Sequence, residues 1–145
     1  MTRIFVGSDH AAIGTRQAIA THLIASGHTV EQTGPGLGAR CDYPDEAAKV
    51  ARAVVAGQYD LGVLVCGTGI GVSIAANKIP GVRAALVHDL TTASLAAQHN
   101  DANVLCLGGR LLADTQAIAL VDAWLATPFE TRHQERLDKI SALES

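Results

Sequence analysis

The sequence predicts an α/β fold, a doubly wound sandwich in which a five-stranded parallel sheet carries helices on both faces and a further helix closes the chain. Three observations carry this expectation. Short β-type runs alternate with longer helical patterns along the whole chain of 145 residues. Runs such as Leu61–Val65 and Asn103–Leu107 are almost continuously apolar, as strands are when helices cover both sides of a parallel sheet. Neither an internal repeat, nor a low-complexity tract, nor a linker breaks the alternation, so residues 1–145 read as one domain, in line with about 150 residues per domain.

The elements follow in order. Ile4–Ser8 reads as the first strand. The first helix spans Ala11–Ser26, where the pairs Ala12/Ile13, Ile19/Ala20 and Leu23/Ile24 recur near the helical period until Gly27 ends it. Thr29–Gln32 is a short second strand. The loop Thr33–Pro44, rich in glycine and carrying Pro35, is long for a compact αβ connection, which marks it as mobile or functional. Then come a second helix over Asp45–Gly57, a third strand over Leu61–Val65, a third helix over Ile70–Lys78, a fourth strand over Val82–Val87 and a fourth helix ending near Gln98. Asn103–Leu107 is the fifth strand and Thr115–Leu125 the fifth helix. After Pro128, a charged helix runs from about Glu130 to Leu143. The pattern is Rossmann-like.

Composition narrows the function classes. With 48% hydrophobic and 17% charged residues the chain is in the globular range, and 3% aromatic content makes the core aliphatic and alanine-rich. A net charge of −3 lacks the basic footprint of a nucleic-acid binder. Cys41, Cys66 and Cys106 show no Cys-x-x-Cys spacing, which argues against a disulfide framework or a zinc cage and suits a reducing, cytoplasmic location. The apolar run near Met1 is too short for a signal peptide, and the uncharged run Leu61–Asn77 is broken by four glycines, so neither a leader nor a membrane span is expected.

In an open parallel sheet the ligand crevice lies beyond the carboxyl ends of the strands. The first strand delivers Gly7-Ser8-Asp9-His10 there, and the third delivers Cys66-Gly67-Thr68-Gly69-Ile70-Gly71 straight into a helix. Glycines let the backbone approach a ligand, and free N–H groups at a helix start favour an anion or oxyanion. Cys66, at the mouth of that helix, is placed where a thiol is activated as base or nucleophile, against the alternative of a small core hydrophobe. Cys106 reads as core. The glycine loop is neither a dinucleotide fingerprint nor a Walker loop, and Asp89 reads either as a ribose-binding acid or as the N-terminal acid of the fourth helix.

His10, beside Asp9, serves a ligand or a local cap. His22 and His28 read as solvated surface. His99-Asn100-Asp101-Ala102-Asn103 is dense in hydrogen-bonding groups, which turn chemistry also explains. Arg132 and Arg136 share a helix face and, with His133, form either a clamp for a phosphate dianion or a solvated face paired to Glu130 or Glu135.

Taken together, these stretches resemble one family, the type B ribose-5-phosphate isomerases with the related allose- and galactose-6-phosphate isomerases. The matching residues are Gly-Ser-Asp-His at 7–10, Asp-Tyr-Pro-Asp at 42–45, Cys-Gly-Thr-Gly-Ile-Gly-Val-Ser-Ile-Ala-Ala-Asn-Lys at 66–78, His-Asn-Asp-Ala-Asn-Val-Leu at 99–105, Gly-Gly-Arg at 108–110 and Arg-His-Gln-Glu-Arg at 132–136. Val72 stands where some members carry a glutamate, so the chain resembles the cysteine class; Ala12 and Glu130-Thr131 replace glycines common elsewhere.

The resemblance implies an aldose–ketose isomerase without metal or cofactor, moving a proton between C1 and C2 of a phosphosugar through a cis-enediol. Cys66 is the implied base. Thr68 and the amides of Gly67, Gly69, Ile70 and Gly71 would hold the enediolate oxygens, His99 with Asp9 would open the ring, His10, Arg132 and Arg136 would hold the phosphate, and Tyr43, Asn100 and Arg110 would complete the pocket. Ribose 5-phosphate is the expected substrate; the alternatives are allose 6-phosphate, galactose 6-phosphate, a four-carbon phosphosugar, or a sensor that binds without reacting. Topology adds an expectation of its own. His99 lies at the amino edge of the sheet and Cys66 at the carboxyl edge, so a site using both is shared across a two-fold homodimer, with a homotetramer as the larger alternative and Arg110 assigned to neither chain.

Overall fold

The computed structural model describes residues 1–144. Five parallel strands, β1 (Arg3–Ser8), β2 (Thr29–Thr33), β3 (Leu61–Cys66), β4 (Ala84–Leu86) and β5 (Val104–Gly108), stand in the order β2-β1-β3-β5-β4. Between and after them lie α1 (Ile13–Ala25), α2 (Tyr43–Val55), α3 (Ile70–Ala76), α4 (Leu90–Gln98), α5 (Asp114–Ala126) and α6 (Gln134–Ala142). The expected doubly wound α/β sandwich is what the chain forms.

Alternation along the buried strands sorts their side chains into two apolar layers. Ile4, Val6, Val63, Val65, Leu105 and Leu107 face one side, against Ile19 and Leu23 of α1, alanines of α4, and Leu120, Val121 and Trp124 of α5. Phe5, Leu64, Cys66, Val104 and Cys106 face the other, against Val50, Val54 and alanines of α2 and Val72 of α3. Each fully buried Val or Leu contributes about 1.5–3 kcal/mol. Small alanine faces let the helices sit close, and Trp124, the one large ring in the first layer, satisfies its indole N–H on the Ala102 carbonyl at 3.2 Å.

Several boundaries differ from the sequence reading. Tyr43 and Pro44 belong to the first turn of α2 rather than to the preceding loop, because a proline near a helix start gives up no intrahelical bond. The fourth strand shrinks to Ala84–Leu86: Val82 and Val87 are buried, yet only three residues pair with β5 at the sheet edge. The third helix stops at Ala76, short of Lys78. The entries to α1 and α6 are single 3₁₀ turns, His10–Ala12 and Thr131–His133, so α6 begins at Gln134 rather than at about Glu130.

Candidate active site

The chain winds outward in opposite directions from the adjacent strands β1 and β3, and the crevice expected at such a switch point lies beyond their carboxyl ends. A cleft of about 450 Å³ opens there, lined by Asp9, His10, Ala11, Tyr43, Cys66, Gly67, Thr68, Ile70, Gly71, Ile74 and Arg110. Asp9 is 7% exposed; its carboxylate accepts from the Ala11 amide at 2.9 Å and so caps the 3₁₀ turn at the cleft's edge. The His10 Nδ1 lies 3.1 Å from the Cys41 carbonyl oxygen and 3.4 Å from the Cys41 amide, which ties its ring to the long loop.

Cys66 ends β3. It is 5% exposed, packed on one side against the second apolar layer and open on the other to the cleft. Its sulfur accepts from the Gly69 amide at 3.2 Å. That amide is delivered by a left-handed turn: Gly69 has φ of 80°, and a Cβ there would lie 2.6 Å from Leu86 Cδ1 and 2.8 Å from the Leu107 carbonyl carbon. Gly69→Ala is therefore expected to cost about 2–4 kcal/mol from strained backbone and overlap together, read as a lowered denaturant midpoint.

Thr68 Oγ1 accepts from the Ile70 amide at 3.2 Å, so two of the loop's N–H groups are engaged within the chain. Tyr43 packs its ring against Gly71, where any Cβ would collide with it. The ladder between β3 and β5 continues beyond the sheet, with Gly109 donating to the Cys66 carbonyl at 2.8 Å and Arg110 to that of Gly67 at 3.0 Å. Arg110 thereby lies over Gly67 in its own chain's cleft.

The other singled-out residues do not join this cleft. His99 caps the carboxyl end of α4, five residues ahead of β5, whereas Cys66 pairs with Gly108 at that strand's far end, a strand length of roughly 13 Å away. Its ring meets that of His133, with centroids 4.4 Å apart. Arg132 donates to Glu130 at 2.6 Å, as the solvated-face alternative expected, while Arg136 donates to His133 Nδ1 at 3.1 Å. His99, Asn100, Arg132 and Arg136 thus belong to the amino-edge side of the molecule. Asp89 is the N-cap of α4, in reciprocal hydrogen bonds with Thr92, and this decides between its two readings.

With the geometry in place, comparison with known proteins is informative. A sequence model of the family described as Ribose/Galactose Isomerase matches residues 4–140. The chain belongs to the ribose/galactose isomerase family. It is an aldose–ketose isomerase of that family. The ribose-5-phosphate isomerase B of Escherichia coli is 43% identical over 145 residues, covering 99% of this chain and 97% of that protein. The type B ribose 5-phosphate isomerase of Trypanosoma brucei superposes with a TM-score of 0.94 at 46% identity, covering 99% of this chain and all of that one. The Mycoplasma genitalium ribose-5-phosphate isomerase B, solved with bound ribulose-5-phosphate, gives 0.92 at 46% identity, covering 98% and 95%.

Two lining residues of this family member escaped the sequence reading. Ala11 directly follows the Gly-Ser-Asp-His stretch, and Ile74, inside the quoted stretch 66–78, is one helical turn beyond Ile70 on α3, a spacing that could have flagged it. His133 also acquires a definite state. Because a guanidinium only donates, Nδ1 accepts and the neutral ring carries its proton on Nε2, a buried nitrogen without a hydrogen-bond partner among the described residues. Burial first, then Arg132, His99 and Arg136, hold its proton affinity below the ordinary 6.5, against a smaller opposing pull from Glu130. The unfolded chain then binds the proton more readily than the fold. This group's stabilisation is full above pH 6.5 and declines as the pH falls below it. Denaturant midpoints should drop between about pH 7.5 and pH 5.5, and less steeply in His133→Gln.

Proposed function

We propose that the protein interconverts ribose 5-phosphate and ribulose 5-phosphate. The observation that carries this reading is the Cys66 sulfur, fixed by a glycine-loop amide at the rim of a cleft that also holds Asp9 and Arg110. It is supported by the 46% identical Mycoplasma genitalium isomerase that holds ribulose-5-phosphate. Cys66, as thiolate, takes the proton from C2 of the open-chain aldose; the electron pair becomes the C1–C2 double bond of an enediol as O1 is protonated. Return of the proton to C1, with loss of the O2 proton, gives the ketose. Thr68 and the remaining glycine-loop amides hold the oxygens that gain charge, the Gly69 amide being engaged by the Cys66 sulfur and the Ile70 amide by Thr68 Oγ1.

Ring opening falls to His99 and Asp9, phosphate binding to His10, Arg132 and Arg136, and the rest of the pocket to Tyr43, Asn100 and Arg110. Because His99 and Asn100 lie a strand length from Cys66, the working site takes them from a second copy of the chain, and the working unit is a homodimer with two shared sites. Ile70 and Ile74, half or more exposed on α3 beside the cleft, give that second copy an apolar surface to cover. Among the described residues no helix is long and apolar enough to cross a membrane, and all three cysteines are free thiols. These features accord with a cytoplasmic enzyme.

The test is turnover on ribose, allose, galactose and erythrose phosphates, with solvent deuterium uptake at the substrate's carbon-bound hydrogen. Preferred turnover of ribose 5-phosphate with deuterium at C1 or C2 is the expected result; binding without exchange overturns the reading.

A further inference from the structure

Arg16 is an unusual residue to bury. It lies on α1 and is 5% exposed in the fold. All three kinds of guanidinium nitrogen are engaged, each with a different part of the chain. Nη1 donates to Ser8 Oγ at 3.1 Å, Nε to Gln32 Oε1 at 3.1 Å and Nη2 to the Pro35 carbonyl at 3.1 Å. Burial lowers the guanidinium's proton affinity, and Glu46, itself buried and accepting from Thr33 at 2.7 Å, opposes this only in part.

The position of these partners is informative. Ser8 is the last residue of β1, immediately before Asp9 and His10. Gln32 lies near the end of β2. Pro35 opens the long segment that runs to α2, and that segment returns at Cys41, whose carbonyl receives the His10 ring. Gly34 makes the arrangement possible: a Cβ there would overlap Arg16 Nη1 and lie 2.5 Å from the Ser8 carbonyl oxygen. Of the segment's own hydrogen bonds, Ala39 to Gly36 is local. Thr33 is held by its ladder to Gly7 and by Glu46, and beyond it the guanidinium ties Pro35 to the strand tip.

We infer that Arg16 is a positioning residue for the substrate's phosphate: it fixes the Pro35 end of the loop whose Cys41 carbonyl orients His10. This deepens the proposed function and rests on it, since His10 is there assigned to the phosphate. The proton transfer at Cys66 is outside its reach. Cys66 is set by Gly69, and Asp9 is held by Ala11 independently of the loop. Loss of the guanidinium should therefore appear in binding and barely in turnover.

Arg16→Gln keeps one amide donor toward Ser8. It is expected to raise KM for ribose 5-phosphate, and the inhibition constant of inorganic phosphate, about tenfold, with kcat within about threefold. Arg16→Ala should regain low KM on addition of millimolar guanidinium and not on addition of urea. In a His10→Ala background, Arg16→Gln should add little, because the two act through one contact. A parent chain inactive on ribose 5-phosphate overturns the functional reading and this inference with it. An active parent with unchanged KM and phosphate inhibition in Arg16→Gln overturns the inference alone, as does full additivity with His10→Ala. Should Arg16→Gln not fold, guanidinium-dependent KM in Arg16→Ala decides, and a KM that guanidinium does not lower overturns the assignment.

Discussion

Cys66→Ala should abolish turnover while phosphosugar affinity stays close to that of the parent. Among the described residues the sulfur has one hydrogen-bond partner, the Gly69 amide, and its loss leaves the glycine loop held by Gly69's packing on Leu86 and Leu107 and by the extended ladder to Gly109 and Arg110. The cleft therefore keeps its shape. What disappears is the group that accepts the carbon-bound proton, worth about 10²–10⁴-fold in rate for general acid–base catalysis. Calorimetric affinity for ribose 5-phosphate alongside steady-state turnover separates the two effects. A matching loss in affinity would make the thiol a binding group; retained turnover would remove it from the proton-transfer step.

Mixing inactive Cys66→Ala with inactive His99→Asn subunits should restore activity. In a dimer whose sites draw Cys66 from one chain and His99 from the other, random exchange makes half the dimers mixed, and one of the two sites in each mixed dimer carries both native groups. Recovery should approach about one quarter of the parent activity. The physical basis is the placement of His99 ahead of β5 and of Cys66 opposite that strand's last residue. Subunit exchange is followed independently by mass spectrometry of tagged chains. Absence of recovery after proven exchange would return both residues to one chain.

Much of this arrangement was legible in the residues. Fully buried strands announce themselves as continuous apolar runs, and Asp9 and Cys66 stand where such runs end. The misreadings have physical causes. Pro44 signals a helix break in most contexts, but in the first turn of a helix it lacks nothing it needs to donate. Val82 and Val87 have the burial of strand residues but lie outside the three-residue ladder, although the Val87 amide still donates to the Cys106 carbonyl at 3.2 Å, a distinction that local composition does not carry. Arg110 could be assigned to its own cleft only once β3 and β5 were seen to be neighbours. Arg16 was invisible for a similar reason: its burial depends on a loop folding over it from residues 34 and 35, and helical periodicity carries no information about such a cover.

That same neighbourhood of β3 and β5 bears on how the chain is made. The strand ending in Cys66 has β1 on one side and β5 on the other, so one whole edge of Leu61–Cys66 stays unpaired until Gly108 has left the ribosome. During synthesis of the intervening forty-odd residues, an apolar parallel edge lies bare in what becomes the middle of the sheet, the kind of surface that recruits other nascent chains. A message truncated before β5 yields a polypeptide prone to aggregate, and chaperone demand should fall only as that last central strand emerges.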